Sequence, residues 1–296
     1  MKYFLIQNST GKRVPIDEAR YQSLIEAKGN YSRATRVEEN FDVVMENFFE
    51  LEEALFHVAM SNLVFGSHSR KEFDTARNLI DRRLTNLFSS TRLYKDALLF
   101  HSLKFLGKGD AYSQLKAAIT ERSPETIPFR IVETVRNYSQ HQALPLSSIT
   151  MGSKWHSSPE RQKERATYSV TPKINAAKIS KHRDLHPDVR QAMLDSGDKV
   201  EVMPLVRQNV ERWGRINAQF RELSKTRLDF SETIIRKAIE ETEGDNPSLT
   251  LAVAEDEKGQ HQSSQLFLEF FEQLRSLSKK NGSQVNLARR FVGQTT

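Results

Sequence analysis

The sequence predicts a mainly α-helical protein with a few accessory strands and a helical extension towards its C-terminal end. Three observations predict this. Apolar residues recur at steps of three and four over long stretches, glycine and proline punctuate the chain between them, and only short segments alternate with period two. At 296 residues the chain is long enough for two compact domains. The expected division is a helical domain over 1–150, a basic connector with a candidate edge strand over 151–185, and a helical region over 186–296 ending in strand, turn and helix.

Lys2 to Gln7 reads as a short strand, followed by a polar turn. From Val37 to about Phe65, Phe41, Val44, Phe48, Leu51, Leu55 and Val58 form one continuous helical stripe, with Glu46, Glu50 and Glu53 off it. A second helix begins near Lys71, with Phe73, Ala76, Ile80, Leu84 and Leu87 on one face. It continues or restarts after Ser89, Ser90 and Thr91 and breaks at Gly107 to Asp110. Residues 111–122 form a shorter helix closed by Ser123 and Pro124. The next begins at Pro128, where proline suits a first turn, and Pro145 forces its end. Residues 147–159 read as a Ser-rich loop, and 166–174 as a strand whose Pro172 argues for an edge position. Beyond Pro187 a helical block presents Val206, Val210, Trp213, Ile216 and Phe220, and stops at Gly244 to Pro247. A strand over 249–253, a turn, and an amphipathic helix over 264–279 complete the chain.

Composition excludes several chemistries. Zero cysteines remove disulfides, thiolate metal sites, iron–sulfur clusters and a cysteine nucleophile. No apolar run approaches the ~18 residues of a membrane span, and the apolar N-terminal run is too short for a signal-peptide core. A cytoplasmic protein without a membrane partner is the expectation. There is no phosphate-cradling glycine loop, no Gly-x-Ser-x-Gly elbow and no His-Glu-x-x-His pair. His182 and His186 lie four apart, but no third ligand accompanies them, so neither a metal nor a cofactor is expected. The net charge of +6 is confined to residues 153–183, where eight basic residues face two acidic ones. The rest of the chain balances, 36 against 36. Such a segment attracts polyanions, and Lys154, Arg161, Lys163 and Arg165 are its candidate RNA contacts. A solvated connector explains the same charge equally well.

One helix stands out. Before Pro145 it carries Arg136, Asn137, Gln140 and His141. Asn137 and His141, four apart, are vertical neighbours, whereas Arg136 and His141 lie about 140° apart around an ideal helix. Arginine offers a two-pronged fork to phosphate, and histidine can pass protons near neutrality. Together they meet the minimum for metal-independent RNA cleavage through the ribose 2′-hydroxyl.

The run Arg136-Asn137-Tyr138-Ser139-Gln140-His141, followed by Leu144 and Pro145, resembles the signature of the HEPN domain (higher eukaryotes and prokaryotes nucleotide-binding). The resemblance covers this motif and the helical layout from about Val37 to Leu144. It implies a HEPN-like helical bundle that pairs as a homodimer, and an endoribonuclease acting as a bacterial toxin or antiviral effector. RNA would be the substrate, and a separate inhibitor or activator protein a further partner. Carried over by residue, His141 is the general acid or base, Arg136 binds and stabilises the scissile phosphate, and Asn137 orients His141 or the phosphate by hydrogen bonding. Tyr138 is assigned to packing, and Glu46, Glu50 and Glu53 are equal candidates for a helper acid. A non-catalytic nucleic-acid-binding or protein-interaction module is the alternative.

Overall fold

The structure is a computed structural model that describes residues 1–7, 10–66, 69–142, 144–156, 165–181, 185–242, 250–282 and 286–290. It is mainly helical, with small antiparallel sheets. Three long helices dominate: α1 (Glu18–Phe65), α2 (Arg70–Leu106) and α7 (Val202–Thr242). Between α2 and α7 lie α3 (Asp110–Thr120), α4 (Ile127–His141), α5 (Ala176–Ile179) and α6 (Pro187–Asp195). The helix α8 (Glu269–Lys280) follows them. Among the described residues no helix is long and apolar enough to cross a membrane.

The chain forms two compact units, each assembled from three separate stretches of the chain. One comprises Met1–Asn40, Asp96–Ala118 and Ile216–Gly282, the other Phe41–Lys95, Ile119–Arg215 and Ser283–Thr296. Each of the three long helices contributes residues to both.

The first unit holds the sheet β2 (Arg13–Ile16), β1 (Lys2–Gln7), β6 (Thr250–Glu255) and β7 (His261–Leu266), in that order and antiparallel throughout. Leu5, Thr250, Ala252 and Leu266 are fully buried within it. Tyr3 brings the sheet against Tyr21 of α1, and the Thr250 hydroxyl meets that of Thr242 at the end of α7. Tyr31 meets Phe271 edge-on, with ring centroids 3.8 Å apart. A buried ion pair ties α1 to α7: the Arg221 guanidinium donates to both Glu38 oxygens at 2.7 Å, and Glu38 is 1% exposed.

In the second unit, residues 41–65 of α1 meet α2 and the start of α7, and α4 meets the same two helices. All six residues of the α1 stripe are buried, as are Ala76, Ile80, Leu84 and Leu87 of α2. Tyr94, Trp213 and Phe129 stack in sequence, with centroids 5.4 and 5.1 Å apart. Arg130 grips Asp188 with two hydrogen bonds, clipping α4 to α6 and holding the Asp188 carboxyl well below the usual carboxylate range. A three-stranded sheet, β3 (Leu146–His156), β4 (Arg165–Asn175) and β5 (Lys199–Glu201), completes the unit.

Several sequence expectations are corrected or refined. Helix α1 starts at Glu18, with Asp17 capping the Arg20 amide at 2.7 Å, and not near Val37. Its buried face there includes Ala27, Asn30, Ala34 and Glu38, and small and polar residues hide the stripe. Residues 89–91 do not interrupt α2, because each hydroxyl bonds back to a carbonyl three or four residues earlier. Residues 147–156 of the Ser-rich segment belong to strand β3, paired with β4 from Leu146↔Ile174 to His156↔Arg165, and not to a loop, and residues 157–159 lie outside the described residues. Residues 264–266 belong to β7, since Thr250 pairs with Leu266, and α8 begins only at Glu269. Pro172 sits just before the part of β4 that pairs with β5, so at its position β4 has β3 as its one strand neighbour. The stop signal at 244–247 lies outside the described residues.

Candidate functional site

Helix α4 begins as its sequence dictates, with Pro128 in the first turn, where a missing N–H costs nothing. It closes when the Gln142 amide donates to the Tyr138 carbonyl at 2.9 Å. Phe129, Val132, Val135 and Tyr138 form its buried face. Tyr138 is 4% exposed, with the Lys178 ammonium 5.9 Å from its ring centre.

On the neighbouring face, Arg136 and Asn137 line a pocket of about 210 Å³ within the second unit. The Arg136 guanidinium donates to Asn137 Oδ1 at 2.9 Å. Val132 and Glu133 complete the α4 wall. Helix α2 contributes Phe88, Thr91, Arg92 and Lys95, and α7 contributes Asn209 and Trp213. Arg92 and Lys95, Glu133 and Arg136, and Asn209 and Trp213 each sit three or four apart on their helix, the spacing that places side chains on one face. Lys95 donates to Glu133 at 2.5 Å, joining α2 to α4 across the pocket wall. Three cations, Arg92, Lys95 and Arg136, therefore stand around one acid.

His141 is the final residue of α4. It is exposed and is not among the pocket's lining residues. Asn137 lies between the two regions: it accepts from Arg136 on the pocket wall and stands one helical turn below His141, about 6 Å along the axis. One chain thus brings Arg136 and Asn137 into contact and leaves the histidine one turn beyond them. Of the three helper acids considered, Glu50 is engaged by Arg83, Glu46 and Glu53 are exposed, and none lines the pocket.

The basic segment separates into parts. Lys154 is exposed in β3 opposite Thr167, and Trp155 beside it is 53% exposed. His156 Nε2 lies 2.8 Å from Thr167 Oγ1, bracing the hairpin. Arg165 opens β4, but its side chain, like all of Arg161 and Lys163, lies outside the described residues. Among the described residues no group of three His, Asp or Glu side chains stands ready to hold a metal ion.

Sequence reasoning missed Arg92, Lys95, Glu133, Asn209 and Trp213. Each pair has helical spacing within its own helix, but no local signal shows that three helices converge. Comparison with protein-family models, with curated proteins and with solved structures finds no match.

Proposed function

We propose that the protein is a metal-independent endoribonuclease that cleaves single-stranded RNA by attack of the ribose 2′-hydroxyl on the adjacent phosphate. The observation that carries the reading is the contact of Arg136 with Asn137 on a cation-lined pocket wall, one turn from an exposed histidine. RNA supplies its own nucleophile, so the protein needs a proton acceptor, a proton donor and a stabiliser for phosphate charge. His141 takes the proton role, Arg136 the charge-stabilising role, and Asn137 holds the guanidinium in place.

A homodimer belongs to this reading, because a second copy would supply a second histidine for the second proton transfer. Support comes from α1, where Phe49, Phe56, Met60 and Leu63 stand 63%, 50%, 44% and 53% exposed along one helical face. A role in bacterial toxicity or defence, in the cytoplasm and under control of a separate protein, is the biological setting proposed.

The test is incubation with mixed cellular RNA in EDTA followed by end-group analysis. Products should carry 2′,3′-cyclic phosphate and 5′-hydroxyl ends, and a 2′-deoxy residue at the scissile position should block cleavage. His141→Ala should lose cleavage while retaining RNA binding, and Arg136→Ala should lose cleavage as well. Undiminished cleavage by His141→Ala, or a requirement for added magnesium, would refute the proposal. A non-catalytic nucleic-acid-binding module is the second reading. The exposed Lys154 and Trp155 on a long basic hairpin favour it, and RNA binding without cleavage would select it.

A further inference from the structure

Two residues that line the pocket beside α4 carry buried donors that no described residue of the protein uses. Asn209 and Trp213, one turn apart on α7, are 3% and 1% exposed. Neither Asn209 Nδ2 nor Trp213 Nε1 has a hydrogen-bond partner, and both residues line the pocket. Native folds keep few buried donors without acceptors. Two of them, one turn apart on residues that line one pocket, point to an acceptor that arrives from outside. An indole nitrogen can only donate, so the missing partner is an acceptor.

The remaining lining residues define its charge. Arg92, Lys95 and Arg136 outnumber Glu133, which Lys95 already engages, and Thr91 adds a hydroxyl. At about 210 Å³ the pocket is smaller than the roughly 300–1,000 Å³ that encloses a whole drug-sized ligand. It admits an oxyanion with its attached sugar and leaves a base outside. We propose that this pocket binds the phosphate monoester of a sugar, with Asn209 and Trp213 donating to phosphate oxygens beneath the three cations. The inference rests on the endoribonuclease reading only in sharing Arg136 and Asn137. The ligand is a free sugar phosphate or the 5′-phosphorylated end of an RNA strand, which present the same group.

Trp213 is a built-in reporter, because Trp155 is the chain's only other tryptophan. In the Trp155→Phe variant, ribose 5-phosphate should change the fluorescence saturably, adenosine 5′-monophosphate should bind within about threefold of it, and adenosine should have no effect. Asn209→Leu removes one donor at similar volume and should weaken ribose 5-phosphate binding at least about tenfold while the melting midpoint holds. Tighter binding of a short 5′-phosphorylated RNA than of its 5′-hydroxyl form and of the mononucleotide assigns the site to an RNA end. Equal binding of RNA and mononucleotide assigns it to the free compound. No saturable change with any phosphate up to about 10 mM, binding of adenosine as tight as that of its monophosphate, or undiminished binding by Asn209→Leu overturns the proposal. His141→Ala tests cleavage separately, since His141 does not line the pocket.

Discussion

At Asp81, burial and hydrogen bonding pull in opposite directions. The residue is 1% exposed, and burial pushes its carboxyl up to about 6, although the Leu146 amide donates to Oδ1 at 2.9 Å. Its other oxygen has no hydrogen-bond partner. Well below pH 3.8, the ordinary value for aspartate, the carboxyl is protonated in both folded and unfolded chains and makes no difference to stability. As pH rises towards 6 the folded state holds the extra proton, so this group's contribution to stability falls. Above that it amounts to a penalty of about 3 kcal/mol. Asp81→Asn keeps an acceptor for Leu146 but places an amide N–H₂ in the buried space, which offsets part of the gain. Urea denaturation should show the variant about 1–2 kcal/mol more stable than wild type at about pH 7.5, with the advantage gone near about pH 4. An equal difference at both pH values would mean that folding does not raise the Asp81 carboxyl above its ordinary value. The candidate site shows two different surroundings: Arg136 donates to Asn137 on the pocket wall, whereas His141 stands exposed at the end of the helix.

Between elements, ion pairs of different burial do different work. Glu38 on α1 is enclosed by Arg221 and Asn217 of α7, and Arg221 also donates to the Asn281 carbonyl beyond α8. Arg221→Met would leave a buried carboxylate without its cation and should cost about 3–5 kcal/mol in chemical denaturation. The double variant Glu38→Met, Arg221→Met should recover most of that loss, because the attraction and the desolvation penalty disappear together. By contrast, Arg36 and Glu39, exposed and 3.6 Å apart, should contribute less than about 1 kcal/mol. The β3–β4 hairpin buries none of its described residues between 151 and 170. If it carries RNA, neutralising Arg161, Lys163 and Arg165 together should weaken binding to all sequences. It should also reduce the logarithmic salt slope by roughly 0.7–0.9 for each phosphate that the protein no longer neutralises. An unchanged slope would make this segment a solvated connector.

For the whole molecule, charge and apolar surface are both unevenly distributed. The net +6 resides in residues 153–183, while the second half of α1 exposes Phe49, Phe56, Met60, Leu63, Val64 and Phe65. This exposed apolar face is the surface on which the proposed dimer would form. If a second copy binds there, light scattering should give about twice the 34.1 kDa of one chain, and Phe49→Asp with Leu63→Asp should return it to a single mass. A stable mass of one chain at assay concentration would remove the dimer from the mechanism.

The sequence by itself determined the helices and their inner faces. A 3.6-residue period is a local property, so the stripes from Phe41 to Val58 and from Val206 to Phe220 mark buried faces without knowledge of what covers them. It also determined that Arg136, Asn137 and His141 share one helix, and its proline and glycine signals located the break between α2 and α3 at Gly107, where φ is +75°. The start of α1 escaped because its buried face carries Asn30, Ala34 and Glu38, and the partners of Asn30 and Glu38 come from α7. Strand β3 escaped because a serine-rich segment becomes a strand only when β4 pairs with it along its length. Only the tertiary structure decided that Arg92, Lys95, Asn209 and Trp213 surround Arg136. These residues lie some 40 to 80 positions away in the chain, and no local periodicity records which helix faces meet.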